Sequence, residues 1–168
     1  MTTIHINLKH VTIRPLRDGD RDELMSLMLR LKRRRNKNIN PIGELFSWQE
    51  AEHQGELKGE FMVISYRLNG KNVLIGIGGI ATGSTLTEEK VAFITHVDVD
   101  RRFKWQILAR VTMERLFARA ISFEASRVIL IHCPVSDDAR TLYHSFGFTI
   151  DSAGEYSRMT SLQPRKTA

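Results

Sequence analysis

The sequence predicts an α/β protein with elements in the order βααβββαβαββ, and three observations carry that prediction. Residues 61–68 and 73–82 are apolar, β-branched runs separated by Asn69-Gly70, a dipeptide that accepts the positive φ a tight hairpin turn requires. Residues 102–123 place apolar side chains at helical spacing. Residues 127–135 (RVILIHCPV) read as a buried strand, and a helical pattern follows that stops at Gly147.

Each element has its own justification. Val11–Pro15 is a short strand, and Asp18 or Asp20 can cap a helix with Leu24, Met25, Leu27, Met28 and Leu31 on its apolar face. The basic run 32–37 (KRRRNK) ends that helix and suits its C-terminal dipole. Pro41 and Gly43 mark a loop, and 46–57 is a second, weaker helix. The hairpin follows, then a fourth strand at Lys90–Val99. In the long helix 102–123, the residues expected inside are Ile107, Leu108, Val111, Leu116, Phe117, Ala120 and Ile121. In the short helix Ala139, Leu142, Tyr143 and Phe146 fall at helical spacing, and strands from Phe148 and Tyr156 complete the chain.

Composition narrows the class. At 168 residues the chain suits one domain, 1–168, large enough to bury a good core. No apolar run approaches the ~20 residues of a membrane span. The opening MTTIHINLKH lacks a signal-peptide pattern, and the single cysteine, Cys133, fits a reducing compartment, so a cytoplasmic protein without membrane attachment is expected. A net charge of +6 and a pI near 9.8 favour anionic partners, without separating a polyanionic cofactor from nucleic acid.

The segment Ser136-Asp137-Asp138-Ala139-Arg140-Thr141-Leu142-Tyr143-His144-Ser145-Phe146-Gly147-Phe148 carries a resemblance. Strand, short helix ending in Leu-Tyr, Gly-Phe and strand resemble the C-terminal half of the GNAT superfamily of N-acetyltransferases, with Ser136 where that family usually has Asn. The element order agrees, and the resemblance covers about residues 11–162. It implies a mixed central sheet of about six to seven strands flanked by helices. It also implies acyl-CoA-dependent N-acyl transfer, with acetyl-CoA or another acyl-CoA as co-substrate, an unidentified amine as acceptor and no metal. A homodimer is among the oligomeric states left open.

The family's cofactor strand ends in Val, followed five residues later by Arg or Gln, which opens Arg/Gln-x-x-Gly-x-Gly/Ala. Val97 and Arg102 match that spacing, so Arg102, Phe103, Lys104, Trp105, Gln106 and Ile107 fall in the pyrophosphate loop. Trp105 and Ile107 replace the two glycines, which matters because a Cβ obstructs close approach of a diphosphate to backbone N–H groups. The resemblance adds Ser136, Ala139 and Tyr143 to the cofactor site. It assigns protonation of the departing thiolate to Tyr143 and carbonyl polarisation to backbone amides at Val97, Asp98 and Val99. The alternative is a GNAT-fold binding or regulatory module with weakened or no catalysis, and Trp105 and Ile107 favour it.

Aminolysis of a thioester also needs a base, since a lysine-like amine with a pKa near ~10.4 is mostly ammonium at neutral pH. Strand alternation puts Ile94, His96 and Asp98 on one face and Phe93, Thr95, Val97 and Val99 on the other. His96 has the pKa range for base work, Asp98 could hold the ammonium, and Glu89 could act through water.

Other signals are discounted. Gly76-Ile77-Gly78-Gly79-Ile80-Ala81 mimics a dinucleotide fingerprint, but no helix follows it, so its glycines relieve crowding in a strand. His132 and Cys133 point to opposite faces of a strand and cannot jointly chelate zinc. The run 32–37 has no interleaved aromatics, which argues against nucleic-acid binding.

Overall fold

A computed structural model describes residues 7–32, 58–84, 88–103, 105–131, 136–150 and 156–159. The predicted helix 46–57, residues 33–37 of the basic run, His132 and Cys133 lie outside them. Seven strands form one mixed sheet: β1 (Val11–Pro15), β2 (Lys58–Leu68), β3 (Lys71–Ser84), β4 (Lys90–Val99), β5 (Arg127–Leu130), β6 (Thr149–Ile150) and β7 (Tyr156–Met159). Their spatial order is β1-β2-β3-β4-β5-β7-β6. All neighbours are antiparallel except β4 and β5, whose parallel pairing requires the crossover helix α2 (Trp105–Ser122). Helix α1 is Arg21–Lys32 and helix α3 is Asp137–Ser145.

The hairpin turn forms as its residues dictate. Asn69 and Gly70 have φ of 50° and 79°, and β2 pairs with β3 directly beyond them at Leu68 and Lys71.

Two apolar layers sandwich the sheet. On one face Leu24, Leu27 and Met28 of α1 pack with Val63, Leu74 and Ile77. On the other, α2 buries Leu108, Met113 and Leu116 against Ile64, Ile80, Ala92, Ile94 and Val128. Fully burying each such side chain is worth about 1.5–3 kcal/mol.

The buried stripe of α2 differs from expectation. It runs through Leu108, Ala109, Thr112, Met113, Leu116, Phe117 and Ala120, while Ile107 and Ile121 face outward. Thr112 can sit inside because its hydroxyl donates to the Leu108 carbonyl at 2.7 Å, so no polar atom is stranded. On α1, Met25 is likewise exposed.

Gly78 explains how closely α2 approaches. A Cβ there would lie 2.7 Å from Thr112 Cγ2 and 3.3 Å from Leu116 Cδ1. The Thr112 methyl is short and its rotamer is fixed by the hydroxyl bond, so it cannot swing away. Gly78→Ala is therefore expected to cost about 1–3 kcal/mol, read as a lower denaturation midpoint with the m-value unchanged. Wild-type stability would show that α2 can lift off the sheet without loss.

Candidate active site

Strand β4 is two segments joined by a bulge. Its register against β3 runs Ser84↔Lys90 to Ile80↔Ile94, then shifts so that Gly79 pairs with His96, Gly78 with Val97 and Gly76 with Val99. Thr95 is the extra residue, and an extra residue reverses which face each later side chain occupies. The alternation expected from sequence is therefore corrected. Ile94 packs with Ile80 on the α2 face, whereas His96 and Asp98, opposite Gly79 and Ile77, lie on the α1 face.

Thr95 also turns to the α1 face. A Cβ at Gly79 would meet its Oγ1 at 2.6 Å and Phe61 Cε1 at 2.9 Å, so the absence of a side chain at Gly79 is what makes room. His96 is 4% exposed, its Nδ1 lies 3.0 Å from Thr95 Oγ1, and its ring lies 6.1 Å from that of Phe61. Asp98 is half-buried.

Pairing of β4 with β5 stops at the same place. It runs from Val91↔Arg127 to Ile94↔Leu130, and the last bond is Ile131 N–H to the Ile94 carbonyl at 3.1 Å. Among the described strands, His96–Val99 pair with β3 alone. Beyond Ile94 no described strand lies along β4 on its β5 side, and the backbone amides of Val97 and Val99 turn toward that side, because the Asp100 N–H donates to Ile75 of β3 and alternate amides point the same way.

The turn leaving β4 is built on Asp100, which in the sequence reads as one polar residue of a charged turn. Its side chain is only 4% exposed. The carboxylate accepts from the Arg102 backbone N–H (3.1 Å), from Arg102 Nε (3.1 Å to each oxygen) and from Arg102 Nη2 (2.6 Å). Arg30 of α1 places its Nε 3.6 Å from the same carboxylate and donates through Nη2 to the Leu74 carbonyl at 2.7 Å. Burial pushes the Asp100 pKa up, but the Arg102 hydrogen bonds and the charges of Arg102 and Arg30 outweigh it, and the net displacement is downward. The periodicity that finds cores and strands carries no sign of this residue.

Of the other predicted loop residues, Phe103 is buried, with its ring 5.8 Å from that of Tyr66. Lys104 lies outside the described residues. Trp105 is half-buried against the main core, with the Arg101 guanidinium 6.0 Å from its ring centre. Gln106 and Ile107 are exposed in the first turn of α2.

Helix α3 is held at both ends. Ser136 caps it by accepting from the Ala139 N–H at 3.3 Å. At the other end Gly147, with φ of 81°, donates to the His144 carbonyl at 2.8 Å, and Phe148 N–H donates to the Tyr143 carbonyl at 3.2 Å. This is a Schellman closure, and its usual apolar contact is the Tyr143 ring set edge-on to Phe148 with centres 6.1 Å apart. Arg110 of α2 reaches Ser145 Oγ at 3.1 Å, and Phe146 stacks on Phe117 at 5.9 Å. Val97, Trp105 and Tyr143 all pack on one core cluster, the one that α2 buries against the sheet.

Glu89 stands elsewhere. It accepts from Ser126 Oγ at 2.8 Å and pairs with Arg127 at the start of β4, roughly 20 Å of strand from His96.

Residues 23–148 match the acetyltransferase (GNAT) family. This chain belongs to the GNAT acetyltransferase family. No curated protein sequence matches it. Solved structures share the fold at low identity. Salmonella typhimurium yncA, with its cofactor acetyl-CoA, is 16% identical with a TM-score of 0.66, covering 92% of this chain and 96% of that one. Glucosamine-6-phosphate N-acetyltransferase from Arabidopsis thaliana is 21% identical with a TM-score of 0.63, covering 84% and 93%. A chain of the NatC complex bound to Gag peptide and CoA is 11% identical with a TM-score of 0.67, covering 88% and 94%. The GNAT assignment bears out the resemblance in the β4–α2 and α3 segments, and the mixed seven-stranded sheet bears out the expected fold.

Proposed function

We propose that this GNAT protein is a cytoplasmic, acyl-CoA-dependent N-acyltransferase that moves an acetyl group from acetyl-CoA to a primary amine of a small molecule or protein. The observation that carries this reading is that, among the described residues, β4–β5 pairing ends at Ile94 and Leu130 while β4 runs on to the turn that opens α2. An open strand edge suits the amide-bearing arm of CoA, and helix-terminal N–H groups suit its diphosphate.

The residues at the glycine positions narrow this fit without closing it. Trp105 directs its bulk to the core, and Ile107 stands on the surface, 42% exposed. The first-turn N–H groups of α2 carry the partial positive charge that favours a phosphate, and the exposed Arg101 adds a cation.

Acetyl-CoA supplies the activated acyl group, and the chain supplies everything else. Of the strand residues Val97, Asp98 and Val99, the amides of Val97 and Val99 turn away from β3 and polarise the thioester carbonyl. His96, held by Thr95, accepts the proton of the incoming amine, and Asp98 on the same face attracts it as ammonium. Tyr143 donates a proton to the leaving thiolate. The alternative reading, a binding module with little catalysis, is favoured by the side chains at Trp105 and Ile107.

Acetyl-CoA at ~100 times its dissociation constant should stabilise the protein by about 2.7 kcal/mol. For this chain length that is a melting shift of roughly 5–10 °C. No shift at millimolar acetyl-CoA would overturn the acyl-CoA reading. A shift without thiol release, across sugar amines and peptide amines, would favour the binding module.

A further inference from the structure

The buried carboxylate of Asp100 bridges three elements that the site depends on. Its own backbone N–H donates to the Ile75 carbonyl of β3 at 2.8 Å, and its carbonyl accepts from Phe103 N–H at 2.9 Å. Its side chain gathers Arg102 from the turn and Arg30 from α1. The resemblance to the GNAT family implies that Arg102 belongs to the diphosphate loop, but a guanidinium bound through Nε and Nη2 to a buried carboxylate has committed much of its donor fork inward.

We propose that Asp100 is a positioning residue for acyl-CoA, and that it acts by holding Arg102 and the entry to α2 so that the first-turn N–H groups face the diphosphate. This inference rests on the acyl-CoA reading. Arg102 then serves as a brace, and recognition of the diphosphate falls to the α2 backbone. Three hydrogen bonds from one arginine side chain to a shielded carboxylate fix both the turn and the guanidinium plane. Ordering the turn before the ligand arrives removes part of the entropy cost of binding. The bridge to Arg30 anchors the brace to α1, whose Leu24, Leu27 and Met28 are packed on the sheet.

The test compares CoA affinity with stability, using titration calorimetry well below the melting temperature so that every sample stays folded. Asp100→Asn keeps an acceptor for the Arg102 N–H but loses the charge that holds the side chain. It should bind CoA about tenfold more weakly or worse, the scale of a lost charged hydrogen bond. The control is Asp20→Asn, which weakens the bidentate Arg14–Asp20 pair (both contacts 2.6 Å) at the far end of α1 from Arg30. That variant should melt lower and bind CoA like wild type.

Arg102→Lys gives a second reading if Asp100→Asn fails to fold. Lysine keeps a charge for a phosphate but cannot reproduce the fork on Asp100, so weakened CoA binding supports the brace. Unchanged affinity in a folded Asp100→Asn or in Arg102→Lys overturns the inference and leaves the acyl-CoA reading standing. Absence of CoA binding in the wild type overturns both.

Discussion

Tyr143→Phe should lower turnover about 10²-fold or more, measured as thiol released from acetyl-CoA with an accepted amine. The substitution removes one hydroxyl and keeps the ring and the backbone. The Schellman closure uses the Tyr143 backbone carbonyl, and the edge-on contact with Phe148 uses the ring. CoA affinity and melting temperature should change little. Equal turnover would remove Tyr143 from the mechanism. A variant that unfolds would show instead that the hydroxyl belongs to the packing of α3.

Loss of the Asp100 carboxylate should lower stability by about 1.5–3 kcal/mol at neutral pH for Asp100→Asn, or a melting decrease of roughly 3–12 °C. The carboxylate is shielded, while Arg30 and Arg102 keep 31% and 40% of their side chains exposed and can turn to water, so the loss is that of the charged hydrogen bonds. The effect has a pH signature. The folded-state pKa of Asp100 is lowered, as is that of Asp20, where the Arg14 hydrogen bond dominates over opposing burial. A lowered folded pKa means the stabilisation is complete above the unfolded value of about 3.9 and is lost as pH falls through the folded value. Wild type should weaken as pH falls below about 4. The gap between wild type and Asp100→Asn should narrow over the same interval. A gap constant from neutral to strongly acidic pH would show that the charge of Asp100 contributes nothing.

What the sequence disclosed depended on whether a signal was local. Asn69-Gly70 announced its hairpin because positive φ is a property of single residues, and Gly147 announced the end of α3 for the same reason. The bulge at Thr95 escaped because alternation assumes a continuous strand, and the cause lies on β3, where the side-chain-free Gly79 admits the Thr95 hydroxyl. Thr112 was passed over for Ile107 and Ile121 because hydrophobicity ranks residue types, whereas burial asks whether a hydroxyl finds a partner. Asp100 escaped most completely. Its partner Arg30 is seventy positions away, and nothing in a turn reading Val-Asp-Arg-Arg indicates a shielded carboxylate.

The lone parallel junction in the sheet also bears on how the chain folds. Strands β2, β3 and β4 are consecutive antiparallel neighbours, and the β2–β3 turn closes over two residues. Joining β5 to β4 must wait until all of α2 has crossed over, and β7 and β6 can attach only after β5 is in place. Loop closure has to be completed before such distant contacts repay it. Assembly should therefore be quick through the fourth strand and slow at the next. The seam that closes last is the one beside which the acyl donor is expected to lie.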